Sequence, residues 1–178
     1  MVIKWIRDYV IIGLLVVIIA MLSYGVYNSY MDSQPEVFDL KDYKVTGPAG
    51  SHYHQGINGT EFYLGENFTT PVFDIGIIDM NADDFNALLN SYNNGEISKT
   101  ELLDLFSDNP EVNMKALDFN VGDFRGEPEI SILCQNPYDG TKTILLHMIL
   151  HNNDKVFGAI EFMDNPVSTQ MYNSVQLK

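Results

Sequence analysis

The chain has 178 residues, of which 24 are acidic and only 10 are basic, and its formal net charge at pH 7 is −14. This balance excludes nucleic acid as a partner, because binding to phosphates requires a patch of lysine and arginine that the sequence lacks. A single cysteine, Cys134, excludes a fold held by intramolecular disulfides, so the folded part must rely on a hydrophobic core.

The first predicted element is an uncharged, mostly apolar segment at residues 9–31, which follows a short segment at residues 1–8. Its length suits a helix across a bilayer core of about 30 Å, so we expect a single transmembrane anchor. Lys4 and Arg7 precede the segment and acidic residues follow it, which predicts a cytoplasmic N-terminus. The aromatic residues suited to the two membrane interfaces are Trp5, Tyr9, Tyr24, Tyr27 and Tyr30.

A cleaved signal peptide is the alternative, since Ser23 and Gly25 have the spacing of a cleavage site. We favour the anchor because the uncharged run continues beyond Gly25. In both cases residues 32–178 are exported and carry eight basic against 23 acidic residues, in a length that suits one domain. The predicted location is the cell (inner) membrane, with the main domain extracytoplasmic or periplasmic. No ionisable side chain interrupts the anchor, which favours tethering over transport.

Residues 32–71 are predicted to form an irregular segment at the start of the exported domain. Residues 36–45 alternate only weakly between polar and apolar, and the glycines between residues 47 and 59 predict a loop without regular structure. Short strands are predicted at residues 61–64 and 72–78, and the second is apolar enough to be central.

The α+β core is predicted over residues 72–178, and it begins with a helical hairpin. Asn81 can cap a first helix that runs to Tyr92, and the Asn-Asn-Gly sequence that follows is typical of a helix end. Ser98 and Glu101 have the spacing of a capping box, which predicts the start of a second helix.

The last third of the chain predicts three antiparallel strands, at residues 129–135, 141–150 and 155–163. The middle strand is apolar on both faces, so it should be central, and Gly158 in the third marks a close backbone approach or a bulge. A short tail or helix should follow Pro166. This order predicts an α+β fold with an antiparallel sheet and a helical hairpin.

His52 and His54 are the candidate metal ligands. Two residues apart in an extended chain, their imidazoles point to the same side and could hold one zinc or copper ion. No third ligand is close by in the sequence, so the metal site stays open. Residues 90–101 imitate a calcium loop, but the first and third positions lack carboxylates and the capping box explains the last.

No motif for catalysis or for a cofactor is evident, so we expect no enzyme activity and no cofactor. The sequence has neither a glycine-flanked nucleophilic serine nor a supported Cys–His arrangement. His147 and His151 share a strand face with apolar residues, which favours packing. Cys134 lies in an apolar strand, which favours a buried thiol over an exposed one or one that bridges two copies.

Two segments are similar to known families. Residues 126–163 run strand, Pro-Tyr-Asp-Gly turn, strand, polar turn and a Lys-Val-Phe-Gly-Ala-Ile strand. This order resembles the closing meander of GAF and Cache sensory domains, which implies a small-molecule pocket and a separate output protein. Residues 152–165, together with the topology of one span and a large outer domain, resemble phage lysis holins. That resemblance implies oligomerisation in the inner membrane and the opening of lesions.

The sequence as a whole predicts a single-pass, membrane-anchored, extracytoplasmic module that acts by binding. Its partner is a protein or a small ligand in a membrane or envelope assembly, and a homo-oligomer is a further possibility. The contact surface is expected around residues 52–59 and along the edge strands.

Overall fold

The structure is a computed structural model that describes residues 34–56, 59–65, 70–107, 114–135, 140 and 143–178. The predicted anchor at residues 9–31 lies outside these residues and stays a prediction. The same holds for the residues that flank the anchor or mark its interfaces: Lys4, Trp5, Arg7, Tyr9, Tyr24, Tyr27 and Tyr30. Among the helices that the structure describes, none is long and apolar enough to cross a membrane.

The described part of the chain contains ten strands and three helices. The strands are β1 (Glu36–Asp39), β2 (Tyr43–Gly47), β3 (Ser51–Gln55), β4 (Thr60–Leu64), β5 (Phe73–Asn81), β6 (Ala116–Phe124), β7 (Glu127–Gln135), β8 (Thr143–His151), β9 (Lys155–Phe162) and β10 (Gln176–Leu177). The helices are α1 (Ala82–Asn93), α2 (Lys99–Ser107) and α3 (Pro166–Ser174).

Two antiparallel sheets confirm the predicted α+β class. Seven strands form the larger sheet in the order β3-β4-β5-β9-β8-β7-β6, and β1-β2-β10 form the smaller one. The three predicted strands at the C-terminal end are β7, β8 and β9, and β8 lies between the other two as its apolar faces predict. The hairpin turn between β8 and β9 contains Asn152 and Asn153, both with positive φ, as tight hairpin turns require.

Strand β6 was not predicted from the sequence. It lies at one edge of the seven-stranded sheet, and its register with β7 shifts between Ala116 and Asp118. This bulge inserts Leu117 and interrupts the alternation that identifies a strand. Only three of its nine residues are buried, so the apolar pattern is weak as well.

The prediction of an irregular loop over residues 47–59 is wrong at β3. Five residues there pair with β4 in register, from Ser51 with Leu64 to Gln55 with Thr60. Four of the five side chains are exposed, so the sequence shows no apolar alternation that would predict a strand. This edge strand is stabilised by its pairing with the neighbouring strand. Residues 36–45 likewise form two strands, because the chain turns where the Leu40 amide donates to the Tyr43 carbonyl.

The helical hairpin begins as predicted, with a cap at each helix. The Asn81 side-chain oxygen accepts from the Asp84 amide at 2.8 Å. Glu101 accepts from the Ser98 amide at 2.8 Å, and the Glu101 amide donates to the Ser98 hydroxyl at 3.3 Å. These bonds to Ser98 hold the pKa of Glu101 below its usual value. The capping box therefore accounts for the end of the calcium-like sequence.

The seven-stranded sheet is covered on both faces. On the hairpin face, which α1 and α2 cover, the core includes Phe85 and Leu102 of the helices and Ile132 of β7. On the tail face, covered by α3 and the small sheet, it includes Met171 of α3 and Val45 of β2. Each fully buried side chain of this kind stabilises the fold by about 1.5–3 kcal/mol.

The lone cysteine belongs to the hairpin-face core, as predicted. Cys134 is 1% exposed, and burial raises the pKa of its thiol to about 11. A protonated, enclosed thiol is a poor nucleophile and cannot reach a second chain.

Candidate functional site

A cavity of about 540 Å³ opens on the hairpin face of the large sheet. Its floor is formed by β5, β9 and β8, and α2 contributes one aromatic ring from above. The hydrocarbon side chains that line it are Ile78, Phe106, Ile132, Leu146, Met148 and Ile160. We call this cavity the hairpin-face pocket.

Two adjacent glycines line its floor. Gly76 of β5 and Gly158 of β9 are direct cross-strand partners, so the sheet presents bare backbone there. A Cβ atom on Gly158 would lie 2.6 Å from Cγ2 of Ile78, so any side chain would force Ile78 to move. Of the predicted close approach or bulge, the structure shows a close approach, made by the Ile78 side chain, and the strand register is regular at Gly158.

Two carboxylates form the polar end of the pocket. Glu61 of β4 and Asp74 of β5 are direct cross-strand partners, and both line the cavity. Gly59 gives Asp74 its room, since a Cβ atom there would lie 3.2 Å from the Asp74 Oδ1 atom. Like charges directly opposite each other on neighbouring strands are destabilising.

The surroundings of Asp74 favour its neutral form. Burial and then the nearby charge of Glu61 raise the pKa of Asp74 to about 6. Among the described residues, no lysine, arginine or histidine forms an ion pair with Asp74. Glu61 accepts a 2.6 Å hydrogen bond from the Tyr63 hydroxyl, which helps to raise the pKa of Tyr63 to about 12.

A second group of ionisable side chains lies on the opposite face of the sheet. His147 of β8 is 4% exposed and sits between two glutamates. Its Nδ1 atom is 2.5 Å from Oε1 of Glu129, and its Nε2 atom is 3.2 Å from Oε2 of Glu161. The Tyr172 ring stacks on the imidazole, and its hydroxyl donates to Glu129 at 2.6 Å. Thr169 donates to Glu161. We call these five residues the tail-face network.

The tail-face network is electrostatically satisfied. Burial opposes the charge of His147, but its hydrogen bonds to both glutamates outweigh burial and raise its pKa. Burial works against the Glu129 charge too, yet bonds from His147 and Tyr172 lower the pKa of Glu129. The bond to His147, opposed by burial, lowers the pKa of Glu161. Both imidazole nitrogens are engaged by glutamates, and the bonds from Tyr172 and Thr169 fix α3 to the sheet.

The structure places the predicted histidines in different settings. The packing role predicted for His147 is confirmed, although its glutamate partners were not foreseen, because Glu129 and Glu161 come from strands whose register the sequence does not reveal. His151 is half-buried, and its Nδ1 atom lies 3.1 Å from Oε1 of Glu127.

His52 and His54 both lie on β3, opposite Tyr63 and Glu61 respectively. The Nδ1 atom of His54 is 3.9 Å from Oε2 of Glu61, so this histidine stands beside the polar end of the pocket. Within the described part of the chain, no group of three or more histidine, cysteine, aspartate or glutamate residues is arranged to hold a metal ion.

Comparison with known proteins gives a structural likeness but no family. No family model and no curated protein matches the chain. The solution structure of cyanobacterial PsbP (CyanoP) from Synechocystis sp. PCC 6803 aligns with 82% of this chain and 94% of its own, with a TM-score of 0.48 and 9% sequence identity.

The resemblances to single-span holins and to GAF or Cache domains are therefore wrong. No family model matches the chain, and a solved structure that aligns with it is a PsbP protein. The described parts of the segments that carried both resemblances, residues 126–163 and 152–165, belong to β7, β8 and β9 of the antiparallel sheet.

Proposed function

We propose that the exported domain is a binding module and that its hairpin-face pocket takes the aliphatic chain of a small ligand. The observation that carries this proposal is a cavity of about 540 Å³ with a hydrocarbon lining and polar groups at one end. Small-molecule sites typically measure about 300–1,000 Å³ and combine an apolar wall with a few polar groups.

The lining favours an aliphatic chain over a sugar or a nucleotide. Ile78, Leu146 and Ile160 offer no hydrogen-bond partner, so hydroxyl groups placed against them would lose water without replacement. A buried methylene contributes about 0.8 kcal/mol, so an eight-carbon chain gains about 6 kcal/mol before the cost of lost motion. This gain supports reversible binding.

The proposal includes binding without chemistry. The tail-face network is closed on itself, and the polar end of the pocket has carboxylates without a neighbouring nucleophile among the described residues. With the anchor predicted at residues 9–31, the module would work at the extracytoplasmic membrane surface, where tethering raises its effective concentration toward other membrane components.

Photolabelling of the full chain tests this function. The protein is placed in phosphatidylcholine nanodiscs with an octyl alcohol that carries a photoreactive diazirine, and the adducts are located by peptide mass spectrometry. We expect adducts on peptides that contain Leu146 and Ile160. Leu146→Phe fills the pocket and should reduce this labelling at least fivefold.

Leu145→Phe is the matched control, because Leu145 is the neighbouring leucine on the opposite face of β8 and does not line the pocket. It should leave labelling unchanged. Equal labelling of both variants, or no adduct on the pocket peptides, would refute the proposed function.

A further inference from the structure

The charge of the pocket's polar end identifies the class of ligand, an inference that rests on the proposed function. We propose that the ligand's aliphatic chain ends in a primary ammonium group, which Glu61 and Asp74 bind. The two carboxylates face each other across β4 and β5 at the edge of a cavity whose other lining residues are mostly apolar. An occupant with one cationic end and an apolar body matches both parts of this lining.

The two carboxylates repel each other at a partly buried position. A cation within about 4–6 Å favours the charged form of a carboxylate, whereas a second carboxylate disfavours it. Among the described basic side chains, His54 approaches Glu61 at 3.9 Å, but its side chain is 68% exposed. A bound ammonium would supply the charge that the protein does not.

The same charges discriminate against other head groups. A fatty carboxylate would place a third negative charge beside Asp74 in a chain whose net charge is already −14. A quaternary ammonium typically binds in a cage of several aromatic rings, and the described lining has a single one, Phe106. A primary ammonium has three N–H donors, which suit two carboxylates.

The test compares three photoreactive octyl probes that differ only in their ends: amine, alcohol and carboxylate. The full chain is labelled in phosphatidylcholine nanodiscs at pH 7, and adducts on the pocket peptides are counted. We expect the amine to label at least tenfold more than the carboxylate, with the alcohol in between. For each pair of probes, the ratio in a variant is divided by the ratio in the wild type, which cancels unequal partitioning into the lipid.

Asp74→Asn should bring the amine-to-alcohol ratio down at least fivefold while labelling by the alcohol persists. Asp79→Asn is the matched control, because it removes an exposed carboxylate of β5 that does not line the pocket. It should leave the ratio unchanged.

The outcomes separate the two proposals. If none of the probes labels the pocket, the proposed function fails. If the alcohol labels the pocket but the amine has no advantage, or Asp74→Asn leaves the ratio unchanged, only the ammonium proposal fails. A lysine side chain of a polypeptide carries the same chemistry, so N-acetyl-lysine amide is added as a competitor. If N-acetyl-lysine amide competed as effectively as octylamine, the proposal that the ligand is a small molecule rather than a lysine side chain would be overturned.

Discussion

Two pairs of carboxylates lie on opposite faces of the same sheet, and they differ in what surrounds them. On the tail face, Glu129 and Glu161 are separated by His147 and receive further hydrogen bonds from α3. On the hairpin face, Glu61 and Asp74 are direct neighbours, and among the described residues no cation pairs with Asp74. The first pair has lowered pKa values, whereas the pKa of Asp74 is raised.

This difference separates a structural group from a candidate binding site. Buried charges that are paired and hydrogen-bonded specify how elements dock, and the tail-face network does so for α3. Buried charges without a counter-charge violate the local rules that stabilise a fold, and such violations concentrate at functional sites. We therefore assign fold maintenance to the tail face and propose ligand binding for the hairpin face.

The largest expected effect comes from breaking the tail-face network. His147→Ala leaves Glu129 and Glu161 buried without their shared cation, and it should lower the free energy of unfolding by about 3–5 kcal/mol. Urea unfolding followed by circular dichroism measures this. His54→Ala removes an exposed histidine and should change stability by less than about 0.5 kcal/mol. Equal effects of the two changes would contradict the assignment.

The network's contribution should also depend on pH. Because the pKa of His147 is raised in the folded state, its charge contributes its full stabilisation below the imidazole's ordinary pKa of 6.5. That contribution to the free energy of unfolding is lost as pH rises through the raised pKa. The lowered pKa values of Glu129 and Glu161 stabilise it above the ordinary carboxyl value of 4.5, and that part is lost at lower pH. The stability difference between wild type and His147→Ala should therefore be greatest between pH 4.5 and 6.5. A difference that is flat from pH 4 to 9 would show that the network does not titrate in this way.

The opposite effect of a charged group on stability is expected at the hairpin-face pocket. The pKa of Asp74 rises from 3.8 to about 6, so the folded state loses stability as pH rises across that window. Asp74→Asn should stabilise the protein by up to about 3 kcal/mol at pH 8 and should have no effect below pH 3.8. Thermal unfolding at both pH values, with Asp79→Asn as the control, checks this. Destabilisation by Asp74→Asn at pH 8 would place Asp74 with the structural carboxylates.

The smallest effect is expected from a change that touches neither group. Ser98→Ala removes the cap of α2, and it should cost about 1 kcal/mol at all pH values where Glu101 is charged. Helix α2 carries Phe106 over the pocket. Because the expected cost is small, octyl alcohol photolabelling of this variant should nevertheless remain close to that of the wild type at 25 °C. A complete loss of labelling would show that the pocket depends on the helix cap rather than on its own lining.

The sequence predicts the local parts of this fold better than the distant ones. The caps at Asn81 and Ser98, and the central position of β8, follow from short-range patterns and are confirmed. Strands β3 and β6 escape prediction because they are edge strands, whose pairing depends on neighbours and whose exposed side chains carry no alternation.

The candidate site shows the same limit. Gly158 could be identified as a close approach, but the pairing of Glu61 with Asp74 depends on the register between β4 and β5. His52 and His54 are predicted as metal ligands from their residue type and spacing, but neither lines the pocket. The only sequence signal for Asp74 is a lone charge inside the apolar segment at residues 72–78.

The most direct test of the account is the pKa of Asp74, measured with and without an aliphatic ammonium. Carbon-13 NMR of the full chain labelled at aspartate carboxyls, with Asp74→Asn to assign the signal, gives this value. We expect a pKa of about 6 for Asp74 in the free protein. Octylamine, added as its ammonium form, should lower that pKa, and octyl alcohol should not. An ordinary pKa in the free protein, or the same pKa with and without octylamine, would contradict the claim that this pocket binds a cation.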